Sequence, residues 1–125
     1  NEAKKNLYKK DFYPFMKKRS LLAMTAHVVY KKYDNNYTAT HSKIIINEII
    51  RKKINYKNII MSDDISMKAL KFSFEENIKK AYDAGCNLIL HCNGNLNEMN
   101  ILAKISPKLN NFLSKKTSQL YKFLG

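Results

Sequence analysis

Asn58-Ile59-Ile60-Met61-Ser62-Asp63-Asp64 is the stretch on which the fold turns. Its apolar part, Asn58–Met61, is too short for a helix and runs directly into polar residues, the pattern of a buried strand. Leu21–Ala26 and Asn87–Leu90 repeat that pattern on either side. Helical spacings separate the three. Ser42 can cap a helix whose apolar positions are Ile45, Ile46, Ile49 and Ile50, with basic Arg51–Lys53 at its C-terminal end. Ser73 and Glu76 have the spacing of a capping box ahead of Phe74, Ile78, Ala81 and Tyr82, and Gly85 stops that helix. A third helix is expected over Leu96 to Lys104, and a last one opened by Pro107 and running through Leu113.

Strand and helix alternate, so the expected class is α/β, with parallel strands covered by helices. The strand ends fall near His27, Asp63 and His91, far enough apart for a loop, a helix and a return. In such folds chemistry collects just beyond the C-terminal ends of the strands, and a closed barrel of this kind needs about 250 residues. This chain has 125. Three strands cannot close a barrel, which leaves an open three-stranded layer or part of a larger protein.

Composition narrows the class. A length of 125 residues with 45% hydrophobic and 26% charged residues fits a single segment, 1–125. No apolar run approaches the roughly 20 residues that cross a bilayer, so no membrane span is expected. Asn1 to Asp11 is polar and lysine-rich without an apolar region behind it, unlike an export peptide, and the first residue is not Met. Cys86 and Cys92 flank the third strand at no zinc spacing, and read as free thiols in a reducing cytosol, with no metal. The net charge of +13 hints at nucleic acid. Yet Arg occurs only at Arg19 and Arg51, and the lysines are scattered pairs such as Lys17–Lys18 and Lys79–Lys80. That distribution favours a solvated basic surface, and a Lys-, Asn- and Ile-rich composition also fits AT-rich codons.

Ser62-Asp63-Asp64 places two carboxylates at the mouth of a buried strand. On spacing alone, one could cap a helix beginning near Ser66 while the other is solvated. The functional alternative is a nucleophile or general base held on a strand end. A lone His such as His27 is more often structural than catalytic, and neither His41 nor His91 has an evident acidic neighbour.

Taken together, Ala23-Met24-Thr25-Ala26-His27-Val28-Val29-Tyr30, Asp34, Ala39-Thr40, Ser42, Ile59-Ile60-Met61-Ser62-Asp63-Asp64-Ile65-Ser66-Met67-Lys68-Ala69 and Asp83-Ala84-Gly85-Cys86-Asn87 form a collinear pattern from about Asp11 to Pro107. It resembles the bacterial β-N-acetylhexosaminidases of glycoside hydrolase family three. The resemblance implies a (β/α)8 catalytic barrel, with this chain as its C-terminal portion of three strand–helix units. It implies retaining hydrolysis of terminal β-linked N-acetylglucosamine, with Asp63 as the nucleophile that forms a glycosyl ester. His27 would contact the sugar or order the pocket, and Asp64 would be a loop or supporting group. No cofactor is implied. The expected partner is a β-N-acetylglucosaminyl saccharide or muropeptide met in cytoplasmic cell-wall recycling.

The pattern also departs from the family. Its His–Asp acid/base pair and its Lys-His-Phe-Pro-Gly-His-Gly segment lie upstream and are not among these 125 residues. Without a proton donor the first step is expected to lose a factor on the order of 10²–10⁴, so the isolated chain is expected to be inactive. Asn55-Tyr56-Lys57-Asn58 stands where the family has Gly-Phe-x-Gly, a mild change because Asn tolerates left-handed backbone. The other function class left open is a small basic α/β module that binds nucleic acid or another anion without catalysis.

Overall fold

The computed structural model describes residues 2–16 and 20–124. The Lys17–Lys18 pair and Arg19 of the charge argument lie outside them. The three apolar stretches form β1 (Leu22–Met24), β2 (Ile59–Asp64) and β3 (Leu88–Leu90), hydrogen-bonded in that order in one wholly parallel sheet. Leu22, Ala23 and Met24 pair with Ile59, Ile60 and Met61. The sequence places both flanking strands correctly but makes the first too long. After Met24 the backbone ladder goes on only as far as the Thr25 N–H, which reaches the Met61 carbonyl at 2.9 Å.

Alternation along the strands sends Ala23, Ile60 and Ile89 to one face, where they pack with Ile46, Ile78, Ala81, Ala84 and Cys86. Leu22 and Met24 on the other face remain 37% and 53% exposed. One side of the sheet is thus a core and the other is largely open at β1.

Each covering helix begins where the sequence supplies an acceptor for its first N–H groups. α3 (Phe74–Ala84) has the full capping box, with Ser73 and Glu76 satisfying each other's backbone N–H groups. Asn95 caps α4 (Leu96–Ile105) through the N–H groups of Asn97 and Glu98. Ser42 accepts from the Ile45 N–H at 3.1 Å, as its position suggests. The helix that follows, Ile44–Lys53, is wound wide in the π form, so that the Ile54 N–H returns to the Ile49 carbonyl. It still buries Ile45, Ile46 and Ile49.

The final helix differs from expectation. Pro107 does not open it; α5 spans Asn111–Leu124, and the Asn110 side chain accepts the Leu113 N–H at 2.8 Å. Proline tolerates a first helical turn without requiring one, whereas Asn110 supplies the missing acceptor. The N-terminal stretch, read only as polar, is also helical. α1 (Glu2–Leu7) passes through a π-wound turn, Tyr8–Phe12, into α2 (Tyr13–Met16). Phe12 is its buried anchor, its ring tilted against those of Tyr30 and Tyr33 in a second small core with Ala39, Ile45 and Ile49. A cavity of about 180 Å³ lies between that core and β1.

At the N-terminal edge of the sheet, the Arg51 guanidinium donates to the carbonyls of Tyr56 and Asn58 and to Asn87 Oδ1 at 3.1, 2.6 and 2.8 Å. Asn87 Oδ1 in turn accepts the Ile60 N–H, so one side chain pins the starts of β2 and β3 together. Asn55, beside them, has φ +60°, the left-handed conformation for which a glycine would otherwise serve. Among the described residues no helix is long and apolar enough to cross a membrane.

Candidate active site

The end of β2 is irregular, and that irregularity builds the site. Met61 pairs with Leu88, but Asp64 pairs with Leu90, so β2 spends one more residue than β3 over the same span. This is a β-bulge. The ladder position lost there is filled by a side chain, because the wholly buried Ser62 Oγ accepts the Leu90 N–H at 3.0 Å. Ser62 is therefore the structural member of Ser62-Asp63-Asp64.

Asp63 is half-buried on the bulge, and its Oδ1 accepts the N–H of Asp64 at 2.9 Å. Among the described residues its Oδ2 accepts no hydrogen bond. Asp64 is engaged quite differently. Its Oδ1 accepts the N–H groups of Ser66 and Cys92 at 3.1 and 3.2 Å, and both its oxygens lie 2.8 Å from Ser66 Oγ. Burial works to raise the Asp64 pKa, but the Ser66 side chain, the Ser66 and Cys92 N–H groups and His91 outweigh it, and the carboxyl is held below its ordinary value. No helix begins near Ser66, contrary to the capping reading; Asp64 closes a turn there instead.

His27 lies at the same edge. Its Nε2 is 2.9 Å from the Asp64 carbonyl and its Nδ1 is 2.8 Å from Thr40 Oγ1. A carbonyl only accepts, so Nε2 carries a proton and, in the neutral ring, Nδ1 accepts from Thr40. Thr40 is itself wholly buried and bonded to Thr25, which anchors the imidazole to the end of β1. The structure thus brings His27, Asp63 and Asp64 to the same edge of the sheet, His27 just beyond the end of β1 and both carboxylates at the end of β2.

His41 and His91 do not join them as ligands of one centre, and among the described residues no group of three or more His, Cys, Asp or Glu converges on a metal position. His91 does have an acidic neighbour, which corrects the sequence reading. Its Nε2 is 2.7 Å from Glu98 Oε2, which also accepts from Asn93 Nδ2. Those hydrogen bonds hold Glu98 below its ordinary pKa. The signal was Asn95, because a cap there places Glu98 in the first turn of α4, facing the end of β3.

His41 is buried and directs Nε2 to the Asn77 carbonyl at 3.1 Å. Burial pushes its pKa from 6.5 to about 4, aided by the charges of His27 and Lys80 against a partial rise from Asn77. The unfolded chain therefore binds the extra proton first. Stability should fall as pH drops from 6.5 towards 4, with a slope approaching 1.4 kcal/mol per unit, roughly. His41→Gln, which keeps a donor for the carbonyl, should flatten that slope in urea titrations at several pH values. Equal slopes for the two proteins would refute the assignment.

Comparison with known proteins places this geometry in a family. The model of the glycosyl hydrolase family 3 N-terminal domain matches residues 1–116. The β-hexosaminidase of Haemophilus influenzae is 38% identical over 99 residues, 74% of this chain and 28% of that protein. That of Actinobacillus pleuropneumoniae is 36% identical over 96 residues, 72% and 28% of the two. NagZ from Neisseria gonorrhoeae superposes with a TM-score of 0.76 at 28% identity, over 90% of this chain and 32% of its own. The β-N-acetylglucosaminidase of Thermotoga maritima gives 0.70 at 27% identity, over 96% and 29%. The chain spans less than a third of each of these four proteins. With the family model covering nearly its whole length and the strand-end carboxylates standing on a parallel sheet, the chain belongs to glycosyl hydrolase family 3.

Proposed function

We propose that this chain supplies the nucleophile-bearing sector of a retaining β-N-acetylhexosaminidase. The observation that carries the reading is Asp63 on the bulged end of β2, with Oδ1 held by the Asp64 N–H and Oδ2 without a hydrogen bond among the described residues. Oδ2 would attack the anomeric carbon of a terminal β-linked N-acetylglucosamine and form a glycosyl ester, which water then hydrolyses. His27, fixed at both ring nitrogens, would border the sugar and shape the pocket rim. The proton for the departing oxygen would come from residues outside these three units, which would form part of an eight-stranded barrel. The open face at Leu22 and Met24 suits such a barrel's interior. The substrate would be a β-N-acetylglucosaminyl saccharide, with muropeptide recycling in the cytosol as its setting. Family membership favours this reading over an anion-binding module.

The test uses the full-length protein and an aryl β-N-acetylglucosaminide. Proton NMR should see the β-anomer released first, and acid-quenched enzyme should carry one sugar on the peptide containing Asp63. First release of the α-anomer, or the sugar on a different peptide, would overturn it.

A further inference from the structure

We propose that Asp64 is the positioning residue of this site, a single residue that ties the ends of all three strands to the reacting carboxylate. The inference rests on Asp63 as the nucleophile. Each polar group of Asp64 has a separate task. Its N–H holds Asp63 Oδ1 at 2.9 Å, its carbonyl holds His27 Nε2 at 2.9 Å, and its Oδ1 holds the Cys92 N–H just beyond β3 at 3.2 Å. Ser66 restrains the same carboxylate from its other side, at 2.8 Å to each oxygen. The side chain thus fixes the peptide plane whose N–H sets the angle of the nucleophile. The backbone shares the task on the C-terminal side, where the Ile65 N–H reaches the Leu90 carbonyl at 2.9 Å and the Met67 N–H reaches the Asp64 carbonyl at 3.1 Å.

Two N–H groups, of Ser66 and Cys92, depend on the Asp64 carboxylate. An asparagine offers them the same Oδ1 without the charge, whereas an alanine offers nothing. Displacement of a reacting group by an ångström can cost about 10²-fold. The full-length enzyme acting on an activated aryl β-N-acetylglucosaminide should therefore lose about 10- to 100-fold in kcat on Asp64→Ala, with KM within about threefold. Asp64→Asn should recover to within about fivefold of the unaltered enzyme. A role in folding alone would reduce the amount of active enzyme in both variants without this split or this rescue.

Asp64→Ala with undiminished kcat, or Asp64→Asn as impaired as Asp64→Ala, would overturn the proposal. Should Asp64→Ala fail to fold, Asp64→Asn decides: near-normal kcat supports the role, and a loss beyond about 100-fold overturns it. Asp63→Ala measured on the same substrate separates the two readings. Its near-normal activity would remove the nucleophile and the positioning role together, while its inactivity beside an unaffected Asp64→Ala would remove the positioning role alone.

Discussion

Asp63→Ala in the full-length protein is expected to lower kcat/KM for an aryl β-N-acetylglucosaminide by about 10³-fold or more. The size follows from what is lost. Among the described residues no neighbouring group can take over the covalent step, because Asp64 has its carboxylate committed to Ser66 and Cys92 and His27 has both nitrogens occupied. An activated leaving group needs little protonation, so the loss on that substrate reports the nucleophile rather than the acid. Added azide offers a check by direct chemistry. In the alanine variant it can occupy the vacated space and attack once, giving the α-glycosyl azide where the enzyme with Asp63 gives a β-configured product. Formation of the β-azide, or a rate near that of the unaltered enzyme, would show that Asp63 is not the attacking group.

The second large effect concerns stability and lies behind the sheet. Gly85 closes α3 at φ +117°, and a Cβ built there would stand 2.9 Å from Ile46 Cγ2. Ile46 is wholly buried and has no room to yield. Gly85→Ala thus combines a left-handed backbone that a side chain resists with overpacking of the core, and should cost about 2–4 kcal/mol. Gly94, at φ +71°, has no atom within 4 Å of its virtual Cβ. Gly94→Ala should cost only about 1 kcal/mol, from backbone strain alone. Urea midpoints of the two variants measure the difference directly, and equal shifts would rule out the steric contribution of Ile46.

How much of this was legible in the sequence depends on the range of the physics involved. Caps and stops act within four residues, so Ser73 with Glu76, Ser42, and Gly85 were readable as they stand. The three strands were readable too, since a short apolar run bounded by polar residues has few other uses. Pro107 is a permissive residue and not a start signal, and Asn110, the true cap, stands three positions on. The pairing of His91 with Glu98 required knowing that α4 folds back over the end of β3. The anchoring of His27 through Thr40 and Thr25 joins residues 13 and 15 apart across a loop, and no periodicity records it. The π winding of Ile44–Lys53 left no mark either, because the spacing of Ile45, Ile46 and Ile49 suits an α-helix equally well. The different roles of Asp63 and Asp64 rest on the family resemblance and not on spacing, since the strand does not alternate regularly there.

That extra residue in β2 has a bearing on transplantation of the motif. Counting from Met61 opposite Leu88, an unbroken strand would set Asp63 opposite Leu90; here Asp64 occupies that place. The tripeptide is consequently a phase marker as much as a chemical group, readable only against a neighbouring strand one residue shorter over the same distance. Grafted onto a regular sheet, Ser62-Asp63-Asp64 would keep its letters but put Asp63 in the ladder position that Asp64 holds here. Deleting Ser62 in place would instead leave Asp64 opposite Leu90, make the sheet regular, and remove the hydroxyl that accepts the Leu90 N–H.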